Sequence, residues 1–128
     1  MIVGSTKEDI NLEKRVSITP ETVKNITALG LSVYLENNYA VHLGIEDKQY
    51  EEYGAKFFSN SKEVFNSSNL ILKVNCPTAE ETKDLKEKTI LVGIFNPSKN
   101  QDKLKEILKK NINIFSLELL PRISRAQS

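Results

Sequence analysis

The chain has 128 residues, enough for one domain, with 39% hydrophobic and 27% charged residues and a formal net charge of +1. Near-neutral charge with interspersed Lys and Glu argues against nucleic acid as a partner, because a basic excess would be needed. One cysteine, Cys76, excludes an internal disulfide and suits a reducing compartment. The opening MIVGSTKEDI is too charged for a signal peptide, and no apolar run approaches the ~20 residues of a membrane helix.

Apolar runs and amphipathic segments then alternate. Met1 to Gly4 reads as a short strand. Thr19 caps a helix that begins at Pro20, with Val23, Ile26 and Leu29 on one face and Gly30 as its stop. Leu31, Val33 and Leu35 alternate as a strand. A short helix is expected over 46–53, closed by Gly54, and a weak strand over 55–58. Asn60 and Glu63 have capping-box spacing before Val64 and Phe65, and so do Thr78 and Glu81 before a helix to about Glu87. Residues 69–74 and 89–95 are near-continuous apolar runs, as expected of strands covered on both faces. Leu104, Ile107 and Leu108 stripe a helix, and Ile112, Ile114, Phe115 and Leu117 mark the last strand. Alternation of this kind predicts an α/β fold with five or six strands in a doubly wound, mostly parallel sheet.

Ligands of such sheets bind beyond the carboxyl ends of the strands, which selects Lys7, Lys73, Asn96, Pro97 and Glu118, with Arg15 able to fold over the same edge. Arg15 and Lys73 could grip a small carboxylate; equally, they could be solvated or paired with Glu8 or Glu13. His42 has no neighbour suited to make it a metal ligand or base, and Cys76 has no base beside it, so no catalytic or metal-binding residue is assigned. No G-x-G-x-x-G is present, so the chain lacks the usual pyrophosphate cradle.

The segments IVGSTKE and EKRVSITPETV, followed in order by ALGLSVYLEN, YGAKF, NLILKVNCPTAEE and TILVGIFNPSKN, resemble the N-terminal part of the alanine dehydrogenase and NAD(P) transhydrogenase alpha-subunit family. The resemblance covers the whole chain, and PRISRAQS is its most specific element, being similar to the start of the transhydrogenase loop that reaches the nicotinamide. It implies a Rossmann-like or flavodoxin-like domain over 1–120. Residues 121–128 would open the nicotinamide-contacting loop, cut off before the NAD-binding domain. It implies hydride transfer between NAD(H) and NADP(H) coupled to proton translocation, with NAD(H) on the alpha subunit and NADP(H) on the partner subunit. Arg122, Ile123, Ser124 and Gln127 match the family's cofactor-contacting positions. Implied partners are the beta subunit, the membrane domain and a second alpha copy, on the cytoplasmic side of the inner membrane. Arg15 and Lys73 match the substrate positions of alanine dehydrogenases, but Asn96 stands where those enzymes carry the catalytic histidine, and Asn cannot cycle a proton near neutral pH. An alanine dehydrogenase-like oxidative deaminase and a non-catalytic α/β binding module are the competing readings.

Overall fold

The computed structural model describes residues 1–11, 13–95 and 99–116. Among them are six strands: β1 (Ile2–Ser5), β2 (Ser32–Glu36), β3 (Lys56–Phe58), β4 (Leu70–Lys73), β5 (Ile90–Gly93) and β6 (Asn113–Ser116). Five α-helices lie between them: α1 (Pro20–Ala28), α2 (Asp47–Glu51), α3 (Ser61–Ser67), α4 (Ala79–Asp84) and α5 (Gln101–Leu108). All pairings are parallel and the order is β3-β2-β1-β4-β5-β6. That order is Rossmann-like rather than flavodoxin-like, and it places the topological switch point between β1 and β4.

Helix starts follow local chemistry. Thr19 accepts from the Thr22 amide, with Pro20 in the first helical position. Asn60 accepts from the Glu63 amide, while the Glu63 carboxylate meets the Asn60 side-chain amide rather than its backbone. Thr78 and Glu81 form the full reciprocal box. Helix α4 stops at Asp84, short of Glu87. Leu85 turns to an extended conformation, φ −71 and ψ 132, and buries its side chain. Burial of one leucine, roughly 2 kcal/mol, outweighs a further half-turn of exposed helix.

The two faces of the sheet have separate cores. Val3, Val33 and Leu35 pack with Val23 of α1 and Tyr50 of α2. Ile71 and Leu91 pack with Phe65 of α3, Leu85 and Ile107 of α5. Helices on both faces make the sheet doubly wound. Gly4 lies in register with Ile71, and a Cβ there would strike Ser68 and Val64 at about 2.0–2.9 Å. β1 therefore passes so close under the α3 segment that only glycine fits. On the first face of the β4–β6 half, Leu72 and Val92 are half-buried and Phe115 is 57% exposed.

Candidate functional site at the carboxyl edge of the sheet

β1 and β4 run side by side and deliver Thr6 to Glu8 and Lys73 to Cys76 to one edge. Lys73 interrupts an apolar strand, and its side chain is 3% exposed. Its ammonium lies 3.1 Å from Glu81 Oε2 and 3.4 Å from Glu8 Oε1. Glu8 is equally buried and also accepts from the Val74 amide at 2.9 Å and the Asn75 amide at 3.2 Å. Glu81 divides its two oxygens between the Thr78 amide and Lys73. Each carboxylate thus has both an ammonium and backbone donors, which is what burial of charge requires.

Beside this triad a cleft of about 320 Å³ is lined by Glu8, Lys73, Cys76, Glu81, Lys103 and neighbours. Burial raises the Cys76 thiol above its ordinary pKa, so it is not an activated nucleophile. A second, more apolar cleft of about 250 Å³ has Arg15, Ser17, Leu72, Lys73, Gly93 and Ile94 in its wall.

Arg15 and Lys73 do reach one edge; Lys73 is enclosed by its two carboxylates, while the exposed Arg15 guanidinium is paired along one edge only. Glu13 clasps Arg15 bidentately, at 2.8 Å to Nε and 2.9 Å to Nη2. This bond to Arg15 holds the Glu13 carboxyl at about 2, well below its usual range, and raises the guanidinium in turn. The reading that pairs these cations with Glu8 and Glu13 is the one found. Lys7 is exposed, with its backbone amide bound to Glu36. His42 meets the Lys14 carbonyl at 2.8 Å, a tether rather than a ligand site. No group of three or more metal-ligating side chains occurs among the described residues.

The connection from β1 to α1 carries Arg15 and is shaped by a hub that sequence reasoning missed. Ser5 Oγ donates to the Leu72 carbonyl, so its contact with Tyr39 at 2.7 Å uses the phenol proton. The Tyr39 oxygen then accepts from the Ser17 and Ile18 amides at 3.1 and 3.3 Å. Burial pushes the phenol up to about 12. Tyr50 donates to the Ile18 carbonyl at 2.8 Å, and the two rings meet edge to face at 5.7 Å. No sequence spacing announces these contacts. Glu8 had a weak signal, a carboxylate three residues beyond a central strand.

Arg122, Ile123, Ser124 and Gln127 lie outside the described residues, as do Asn96, Pro97, Leu117 and Glu118.

Residues 4–128 match the family of alanine dehydrogenase/PNT N-terminal domains. The chain belongs to that family. It is 38% identical over all 128 residues to the NAD(P) transhydrogenase subunit alpha of Haemophilus influenzae, and covers 25% of that protein. An alanine dehydrogenase of Methanococcus maripaludis is 32% identical over 126 residues, 98% of this chain and 34% of that protein. Among solved structures, a transhydrogenase from Sinorhizobium meliloti superposes with a TM-score of 0.90 at 31% identity, covering 99% of this chain and 38% of that one. The chain therefore spans a quarter to two-fifths of these family members. An L-alanine dehydrogenase structure shares the fold, with a TM-score of 0.85 at 22% identity.

Proposed function

We propose that the chain is the N-terminal domain of the alpha subunit of a proton-translocating NAD(P) transhydrogenase. The observation that carries this reading is 38% identity over the full chain to a transhydrogenase alpha subunit. One feature of the chain weighs against oxidative deamination of alanine. Asn96 stands where a proton-cycling histidine would be required.

In this reading the described sheet is a platform. The chain has no G-x-G-x-x-G, so the pyrophosphate is held by a following domain. Arg122, Ile123, Ser124 and Gln127 fix the nicotinamide half of NAD(H): the guanidinium and amide orient the carboxamide and ribose so that one ring face meets the NADP(H) of the partner subunit. The cofactors supply the hydride chemistry; these residues supply register, which is where positioning lowers the barrier. A homodimer of the alpha part docks with the beta subunit and the membrane domain at the cytoplasmic face of the inner membrane. Among the described residues no helix is long and apolar enough to cross a membrane, which suits a peripheral place.

The test is made on the complete subunit complex. Arg122→Ala and Gln127→Ala should each lower hydride exchange between the two nucleotides by about tenfold or more, equivalent to about 1.4 kcal/mol of lost positioning. Alanine-dependent reduction of NAD should be absent. Undiminished exchange in both variants, or turnover with alanine, rejects the reading. The 128-residue chain alone should show no exchange.

A further inference from the structure

The last amides of a strand at the carboxyl edge of a parallel sheet are available to a ligand, and successive N–H groups there form an anion-binding concavity. At the end of β4 the donors are the Val74 and Asn75 amides, and the Lys73 ammonium reinforces them. All three converge on one carboxylate, at 2.9, 3.2 and 3.4 Å. That carboxylate belongs to Glu8, more than sixty positions earlier in the chain, and its side chain is 3% exposed. Two adjacent amides and a cation are a donor set for a free carboxylate or phosphate oxygen. Here the chain supplies the acceptor itself. The same cleft of about 320 Å³ that Glu8, Lys73 and Asn75 line gives a small anion a way in.

Glu8 sits on the connection between β1 and α1. Elsewhere this connection is held by the Glu36 carboxylate at the Lys7 amide, by the Tyr39 phenol at Ser17 and Ile18 and by His42 at the Lys14 carbonyl. The Glu8 contact is the tether in which the connection's own carboxylate is buried in the sheet edge. We propose that the carboxyl end of β4 is an anion-binding site whose resident ligand is the Glu8 carboxylate, latching the β1–α1 connection to the sheet, and that it accepts a small free carboxylate once that side chain is removed. The assignment rests on the donor geometry and is independent of whether the whole protein exchanges hydride.

The experiment is chemical rescue in the full chain. Glu8→Ala should melt well below the parent. Sodium formate should restore at least half of the lost melting temperature along a saturable curve, where sodium chloride at equal ionic strength does not. The parent should not respond, and neither should the Glu8→Ala, Lys73→Met double variant. A formate response equal in parent and variant, or no response beyond that of chloride, overturns the proposal. Where Glu8→Ala does not fold, Glu8→Gln keeps the volume and removes the charge. Amide exchange at Val74 and Asn75 should then rise about tenfold relative to Leu72, the loss expected when a charge-assisted bond becomes a neutral one. Unchanged relative exchange overturns the assignment equally.

Discussion

Replacing Lys73 by methionine keeps its volume and removes the cation between the buried Glu8 carboxylate and the partly exposed Glu81 carboxylate. At 3.1 and 3.4 Å each attraction is about 5 kcal/mol for an effective dielectric of about 20. Part of that is cancelled by the cost of taking the ammonium out of water, several kcal/mol, so the net loss is smaller than the Coulomb sum. What remains in the variant is a pair of carboxylates without a countercharge. Glu8 keeps two amide donors, and Glu81 keeps one amide and its 20% exposure to water. Those residual partners place the loss at the lower end of the usual range for breaking a buried pair, about 3 kcal/mol. For a domain of 128 residues that corresponds to a melting temperature lower by roughly 10 °C. Urea and thermal unfolding followed by circular dichroism measure both quantities. Adding Glu8→Gln and Glu81→Gln to Lys73→Met should recover about half of the loss, because no uncompensated charge is then buried. If Lys73→Met costs less than about 1 kcal/mol, or the triple variant is no more stable than the single one, the triad is not held by charge pairing and the reasoning fails.

Gly93→Ala should cost about 3 kcal/mol or prevent folding, since a Cβ there would overlap the Lys73 carbonyl and lie 2.5 and 2.6 Å from the Phe95 ring. Gly30→Ala, with open space around it and φ at +86, should cost only about 1 kcal/mol, the left-handed backbone penalty, in the same unfolding assay. Tyr39→Phe leaves the Ser17 and Ile18 amides without their phenol acceptor and should lower stability by about 2 kcal/mol; a loss below about 0.5 kcal/mol would mean the connection has another anchor. Because the folded phenol titrates at about 12 against an ordinary 10.0, its contribution is fully present below pH 10 and is lost as pH rises to 12; Tyr39→Phe should make the alkaline decline shallower, leaving the part due to Tyr50, whose phenol burial also raises. Glu13, lowered to about 2 from 4.5, behaves oppositely: its clasp on Arg15 is complete above pH 4.5 and fails as pH falls through 2. Carboxyl chemical shifts should show that low midpoint, and Arg15→Gln should return it to the ordinary carboxylate range.

Period and punctuation in the sequence determine the alternating α/β plan, because apolar runs, caps and glycines act over a few residues. Thr19-Pro20, Asn60 with Glu63 and Thr78 with Glu81 start helices where local hydrogen bonding demands it. The apolar runs over 69–74 and 89–95 become the neighbouring parallel strands β4 and β5. The resemblance that PRISRAQS carries is equally a property of the sequence, and with it the proposed nicotinamide contacts Arg122, Ile123, Ser124 and Gln127. Tertiary structure decided what no short window carries. It set the strand order, and so the switch point between β1 and β4. It gave Lys73 to Glu8 and Glu81, where the sequence also allowed an open carboxylate grip. It ended α4 early so that Leu85 could be buried, and it made Tyr39 the anchor of the β1–α1 connection. The physical reason is common to all of these. Helix caps and strand periods are local, whereas the partner of a buried charge or phenol is set by which distant segments the sheet brings within hydrogen-bond distance, and that depends on the packing of the whole chain.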